Sequence, residues 1–318
     1  MLFRSLPFDT ALRVSYIGMN SYRLNVSENL NQTPPSALPF NPALAPFPNW
    51  GIIYSTENAG NQSYQALQVE ATHKGGHGLF FQADYTWAHD ISDAQGDAPG
   101  GYGGETNYGL SVVDRFDIGL NRGNVAGARQ QRFLLTGTYD LPFGQGRRWS
   151  SSFRPVNAVL GGWSVNTITL LETGPYLTPT ISCSFDQTNT NPVAAGSVCR
   201  PDVVGNPILA NRTQSDYFNI NAFAPTPAGA ARIGNAGVGI LEGPGTIAVN
   251  AGLSKAMQLR ENLRLRFEAT FTNVLNHTNY APPAANVSNP STFGILQSAQ
   301  TAEYGGNRTG QLALRLEF

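Results

Sequence analysis

Four histidines, His73, His77, His89 and His277, are the side chains best suited to hold a metal or carry a proton, yet they are scattered along the chain. None falls at the H-E-x-x-H spacing that puts two imidazoles on one helix face. His73 and His77 merely flank a glycine turn, and a shared metal there is not expected. The glycine-rich run Gly234-Asn235-Ala236-Gly237-Val238-Gly239 neither follows a convincing strand nor opens a helix. A phosphate cradle needs that context, so the run reads as loop. There is no G-x-S-x-G nucleophile elbow. The carboxylates Asp84, Glu172 and Glu268 fall on different segments, and spacing alone does not make any two of them an acid/base pair. No catalytic, cofactor or metal residue is therefore assigned, and the chain is expected not to be an enzyme.

Three other groups carry more information. Arg264, Arg266 and Glu268 alternate along one segment, and Arg315 and Glu317 along another that should lie beside it. A cross-strand ion network facing water is the expectation. Tyr85, Trp87, Trp163 and Tyr176 read as an interfacial aromatic girdle. Cys183 and Cys199 are the only cysteines. In an oxidising compartment a bond between them would stabilise the folded chain by about 3 kcal/mol in the chain-entropy view. Without export they would be two free thiols.

The elements that position these residues alternate strictly. Gly310 leads into Leu312, Leu314, Leu316 and Phe318 on one face, with Gln311, Arg315 and Glu317 on the other and Ala313 among them. Seven earlier segments behave alike. Their apolar faces are Leu12–Tyr16, Leu67–Ala71, Leu79–Trp87, Phe133–Leu141, Trp163–Leu171, Ile247–Leu253 and Leu263–Phe271. In the fifth of these, Ile168 and Leu170 break the pattern. Connections are long over 19–61, 91–129, 175–245 and 275–309, short at 75–77 and 258–261, and intermediate over 142–160. Compact soluble domains avoid repeated loops beyond about 15 residues. An up-and-down transmembrane barrel has short turns on one side and long loops on the other. The expected fold is thus all-β, an antiparallel up-and-down barrel wall of about eight strands.

Composition agrees. Charged residues make up 13% of 318 and hydrophobic residues 41%, with mean hydropathy −0.21. No stretch approaches the roughly 20 apolar residues of a spanning helix, but a strand needs apolar residues only at alternate positions. A net charge of −1 and only two lysines leave no basic footprint for nucleic acid. The first residues lack the apolar run and cleavage site of a secretory signal. Either the protein is not exported or its true beginning lies upstream.

Several segments resemble the barrel of TonB-dependent receptors of the Oar-like kind. They are Ser15-Tyr16-Ile17-Gly18, Ser63–Val69, Phe81–Trp87, Asp140-Leu141-Pro142-Phe143-Gly144, Gly161-Gly162-Trp163, Phe218–Phe223, Gly243-Pro244-Gly245, Phe267–His277 and the Phe318 terminus, in one order along nearly the whole chain. The resemblance implies a wall belonging to a 22-stranded barrel around a plug, with a coupling box ahead of it. Eight strands would be its C-terminal third, so residues 1–318 are expected to be a piece of such a receptor without plug or N-terminal domain.

The resemblance also implies partners. These are outer-membrane lipid, the barrel-assembly machinery reading the Phe318-terminated strand, the TonB complex acting through the plug, and an unidentified ligand captured by the loops. Arg264, Arg266, Glu268, Arg315 and Glu317 would face the lumen, where a plug could dock. Two other classes remain open. An autonomous eight-stranded barrel acting as an adhesin would need its own signal peptide. A soluble glycan-binding domain or hydrolase would need a carboxylate pair in a cleft.

Overall fold

In the computed structural model the described residues are 2–6, 9–75, 78–94, 112–144, 146–182, 199–260, 262–300 and 305–318. They form an antiparallel wall of nine strands in chain order: β1 (Leu2–Leu6), β2 (Thr10–Asn29), β3 (Tyr54–Lys74), β4 (Leu79–Ser92), β5 (Gln131–Asp140), β6 (Trp163–Glu172), β7 (Thr246–Arg260), β8 (Leu263–Thr272) and β9 (Thr309–Glu317). A two-residue strand, Gly123–Asn124, adds to the end of β4.

All eight expected strands are present, and β1 is a ninth. Five residues are too few to display a period, which is why Leu2–Leu6 passes for an irregular lead. Each of β1 and β9 has a single neighbour in the wall, so among the described residues the sheet stays open rather than closing into a barrel.

Register sorts the side chains by chemistry, because directly paired residues of an antiparallel ladder share a face. Leu312, Ala269, Leu253, Val165, Tyr139 and Leu79 form one continuous row across six strands. One residue along each ladder, on the opposite face, Ala313, Glu268, Ser254, Ser164 and Asp140 form another. The two irregular residues of β6 also find their place. Leu170 pairs with Leu134 and Ala248, and Ile168 with Thr136 and Asn250, all on the polar face.

Long connections leave from one edge of the wall and short ones from the other. The expected loop 19–61 is corrected: β2 and β3 run on as a paired ribbon, and the loop shrinks to 30–53. Residues 18–25 and 54–63 are rich in Asn and Ser on both faces, so hydropathy shows no alternation there although the backbone ladder continues. The intermediate connection 141–162 carries a short helix, α1 (Arg154–Leu160). At its end Gly162 takes φ +74°, and a Cβ there would collide with the Ala256 carbonyl of β7.

The long connections are not irregular polymer. Phe218, Ala222, Phe223, Leu241 and Phe293 form a buried core between 173–245 and 273–308, with Leu177, Val203 and Ile220 packed against it. Short ladders brace it, Tyr176–Leu177 with Leu241–Glu242 and Asp202–Val203 with Phe223–Ala224. This cap, and not the wall, holds the packed apolar core.

Candidate functional site

Two surfaces can act on something outside the chain: the polar face of the wall and the cap standing on its long-loop edge. On the polar face carboxylates are bound by arginines. Glu268 Oε1 lies 2.7 Å from Arg266 Nε on its own strand, and Oε2 lies 4.0 Å from Arg315 across the ladder. Arg264 and Glu317 are register partners at the end of the same cluster. Of the five residues, Arg266 and Arg315 are thus within ion-pair range of Glu268, and Arg264 and Glu317 share their face.

Glu172 is held more tightly, by Arg132 at 3.0 Å and Arg129 at 3.2 Å, and its side chain is only 8% exposed. Arg129 also donates to the Thr173 carbonyl at 2.6 Å, so the clasp joins 93–130 to the exit of β6. Beside it, Gly174 approaches the Gly243 carbonyl so closely that any Cβ would overlap it. Arg13 pairs with Glu70, which faces Asp84 across the next ladder. Asp84, Glu172 and Glu268 thus stand in three separate clusters.

At the short-turn end the polar face forms a cleft of about 630 Å³, lined by Asp140, Arg147, Ser164, Ser254, Arg264 and Arg266. Arg147 Nη2 donates to Asp140 Oδ2 at 3.2 Å, and the Ser164 and Ser254 hydroxyls are 2.7 Å apart. The lining offers hydrogen bonds and positive charge without a carboxylate pair. Among the described residues no group of three His, Cys, Asp or Glu could hold a metal. His77 lies outside the described residues. His73 bonds to the Thr10 hydroxyl at 3.0 Å and stacks on Phe81.

The cap is laced by polar side chains that sequence reasoning missed. Arg200 is 4% exposed; its guanidinium reaches the Leu120 carbonyl at 2.6 Å and Asn121 Oδ1 at 2.9 Å. Burial without a carboxylate pushes it down to about 10. Asp202 receives both Arg232 terminal nitrogens at 2.6 Å, and those hydrogen bonds hold its carboxyl below the usual range. Gln32 donates to the Val113 carbonyl and accepts from Arg115 N–H, tying 30–53 to 93–130. Asn31, fully buried, donates to the carbonyls of Phe47, Trp50 and Gly51 and accepts from Phe47 N–H.

The available signal was the apolar run Phe218-Asn219-Ile220-Asn221-Ala222-Phe223 inside a loop, since solvated loops have no use for such a cluster. Gly234–Gly239 takes part in the cap as well: the Asn124 side chain donates to the Gly239 carbonyl.

Of the aromatics, Trp163 closes the apolar face at the short-turn rim, while Tyr85 and Trp87 stand toward the other edge. Tyr176 is corrected: it lies in a cap ladder and not on the wall. Leu312, Leu314 and Leu316 share the apolar face, Gly310 starts the same row, and Phe318 extends past β9 fully exposed. Cys199 is buried and disulfide-bonded, beside Ile181 in a two-residue bridge. Cys183, its expected partner, lies outside the described residues.

Residues 2–311 match the family described as outer membrane beta barrel domain. No curated protein matches the chain. Among solved structures, the crystal structure of the outer membrane transporter YddB from Escherichia coli is similar, with a TM-score of 0.45 and 11% identity, covering 99% of this chain and 31% of that one. Matched over nearly its whole length, the chain belongs to the outer membrane beta barrel domain family and resides in the outer membrane.

Proposed function

We propose that this chain is wall and cap of a TonB-dependent receptor of the Oar-like kind, taking up a ligand too large or scarce for passive pores. The observation that carries the reading is an open wall with two chemically distinct faces and all long connections gathered into one folded cap. β5, β6 and β8 are 10 residues each, and a tilted barrel strand needs about 9–11 to cross the hydrocarbon. The Leu312 row faces lipid and the Glu268 row faces the lumen. Long loops stand outside the cell and short turns inside.

In this role the chain performs no catalysis. The cap binds the ligand, and the Arg-rich polar face with its cleft receives the plug that the energy-coupling complex rearranges. The open edges of β1 and β9 take up further strands, since unpaired backbone groups are costly in lipid. A Cys183–Cys199 bond pins the outermost connection.

Uptake in the native cells tests this. Deleting the gene lowers accumulation of one member of a panel of large labelled ligands, and a protonophore lowers it to the same level in unaltered cells. Uptake that persists with the protonophore would make the protein a passive barrel or an adhesin.

A further inference from the structure

The connection 141–162 carries an apolar surface that neither wall nor cap covers. In α1 and the turn before it, Phe153 is 63% exposed, Val159 65%, Leu160 51% and Trp149 54%. A helix of seven residues is marginal in water by itself, and its one inward polar side chain, Asn157, bonds only back to Ser151 N–H and C=O. Water is a poor surrounding for this segment.

Its end is fastened to the apolar face of the wall. The Val159 carbonyl accepts from Trp163 Nε1 at 3.0 Å and from Lys255 Nζ at 2.6 Å, and Lys255 also reaches the Gly161 carbonyl at 2.8 Å. Trp163 and Lys255 are register partners on the apolar face, so the carbonyl end of α1 is fastened to that face at its rim, while Asn157 and Ala158 border the cleft on the polar side. The chemistry there is of one kind. Lys255 Nζ lies 4.8 Å from the Trp163 ring centre, and the Arg148 guanidinium 5.6 Å from that of Trp149. Aromatic bodies with polar tips, and basic chains with apolar stems, suit the layer where headgroups meet hydrocarbon.

We propose that α1 and the Trp149 turn lie in the interfacial layer of the lipid leaflet bordering the short-turn rim, as a membrane anchor of the wall. The inference rests on the assignment of the Leu312 row to lipid. Its occupant is the bilayer itself, because the patch is continuous with the wall's own lipid contact.

Photolabelling of the unaltered protein in outer-membrane vesicles tests it. The vesicles are loaded with phospholipids carrying a diazirine either near the headgroup or at the acyl end, and labelled peptides are identified by mass spectrometry. The shallow probe is expected to mark 149–160 and the deep probe 133–139. Deep labelling of 133–139 with no label on 149–160 would overturn the anchor and leave the wall assignment standing. Absence of label from both would overturn both. Deep labelling of 149–160, or its crosslinking to a second copy or another protein, would also overturn it. The double change Phe153→Asp with Val159→Asp should cut shallow labelling of 149–160 several-fold with 133–139 unchanged.

Discussion

The wall and the cap are held together by different physics, although every long loop of one is a continuation of the other. In the wall, backbone ladders carry the order, and large apolar residues such as Leu312 and Leu314 stay more than two-thirds exposed, the kind of surface that a barrel wall turns to lipid. In the cap, Phe218, Phe223 and Phe293 bury one another with ring centres 5.7–6.2 Å apart along two contacts, as in a water-soluble domain. A single polypeptide thus satisfies two solvents by switching from period-two alternation to clustered burial within a few residues of Glu172 and Thr246.

The sharpest way to break this contrast is to damage one region and watch the other. Phe218→Ala should cost the cap about 3–5 kcal/mol, as large-to-small core changes do. Limited proteolysis of intact cells should then cut within 200–243 while the wall stays in the carbonate-washed membrane pellet. Loss of both together would show that cap and wall fold as one unit.

A smaller effect separates the two faces of the wall. Leu135→Arg, flanked by Ala83 and Thr169 on the apolar face, should cost about 2–4 kcal/mol near the bilayer midplane. Thr136→Arg, its neighbour on the polar face, should leave the amount of assembled protein nearly unchanged. Leu316→Arg, two residues beyond the Trp163 row, should fall between them. Equal losses at 135 and 136 would mean the face assignment is wrong.

The least effect concerns the cap alone. Asp202 is depressed by Arg232, so its contribution is present above the unfolded carboxyl value of about 3.9 and is lost as pH falls through the lower folded value. Hydrogen exchange at 200–204 and 232–236 should quicken only in that acid window. Asp202→Asn should remove the pH dependence there and leave β5 and β6 unaffected. If the acid response survives the substitution, another carboxyl governs it.

How much of this was legible beforehand follows from the same contrast. Alternation made all eight long wall strands and their two faces readable, and even flagged Ile168 and Leu170, whose side chains do point to the polar side. It could not reveal the upper ribbon of β2 and β3, where both faces meet water and only the backbone pairs. Nor could it place Tyr176, since an aromatic looks the same in a girdle and in a cap. The Arg200, Gln32 and Asn31 tethers join residues 16 to 83 positions apart, and no local pattern encodes such a contact. The ion cluster of Glu268 was readable because its members lie on adjacent ladders.

The β2–β3 ribbon is longer than any other pair in the wall, with 20 and 21 residues. Twenty residues of β2 extend about 66 Å at strand rise, and roughly half of that suffices to cross the membrane. The remainder is a mast, crowned by the loop that Asn31 clamps and by the outward side chains of Leu38, Leu44 and Trp50. In the orientation proposed above, this tip stands on the outer side of the membrane, ahead of the wall for a molecule arriving from outside. Leu38, Leu44 and Trp50 take no part in the β2–β3 ladder, so replacing them changes the tip while leaving the spanning backbone pairing intact.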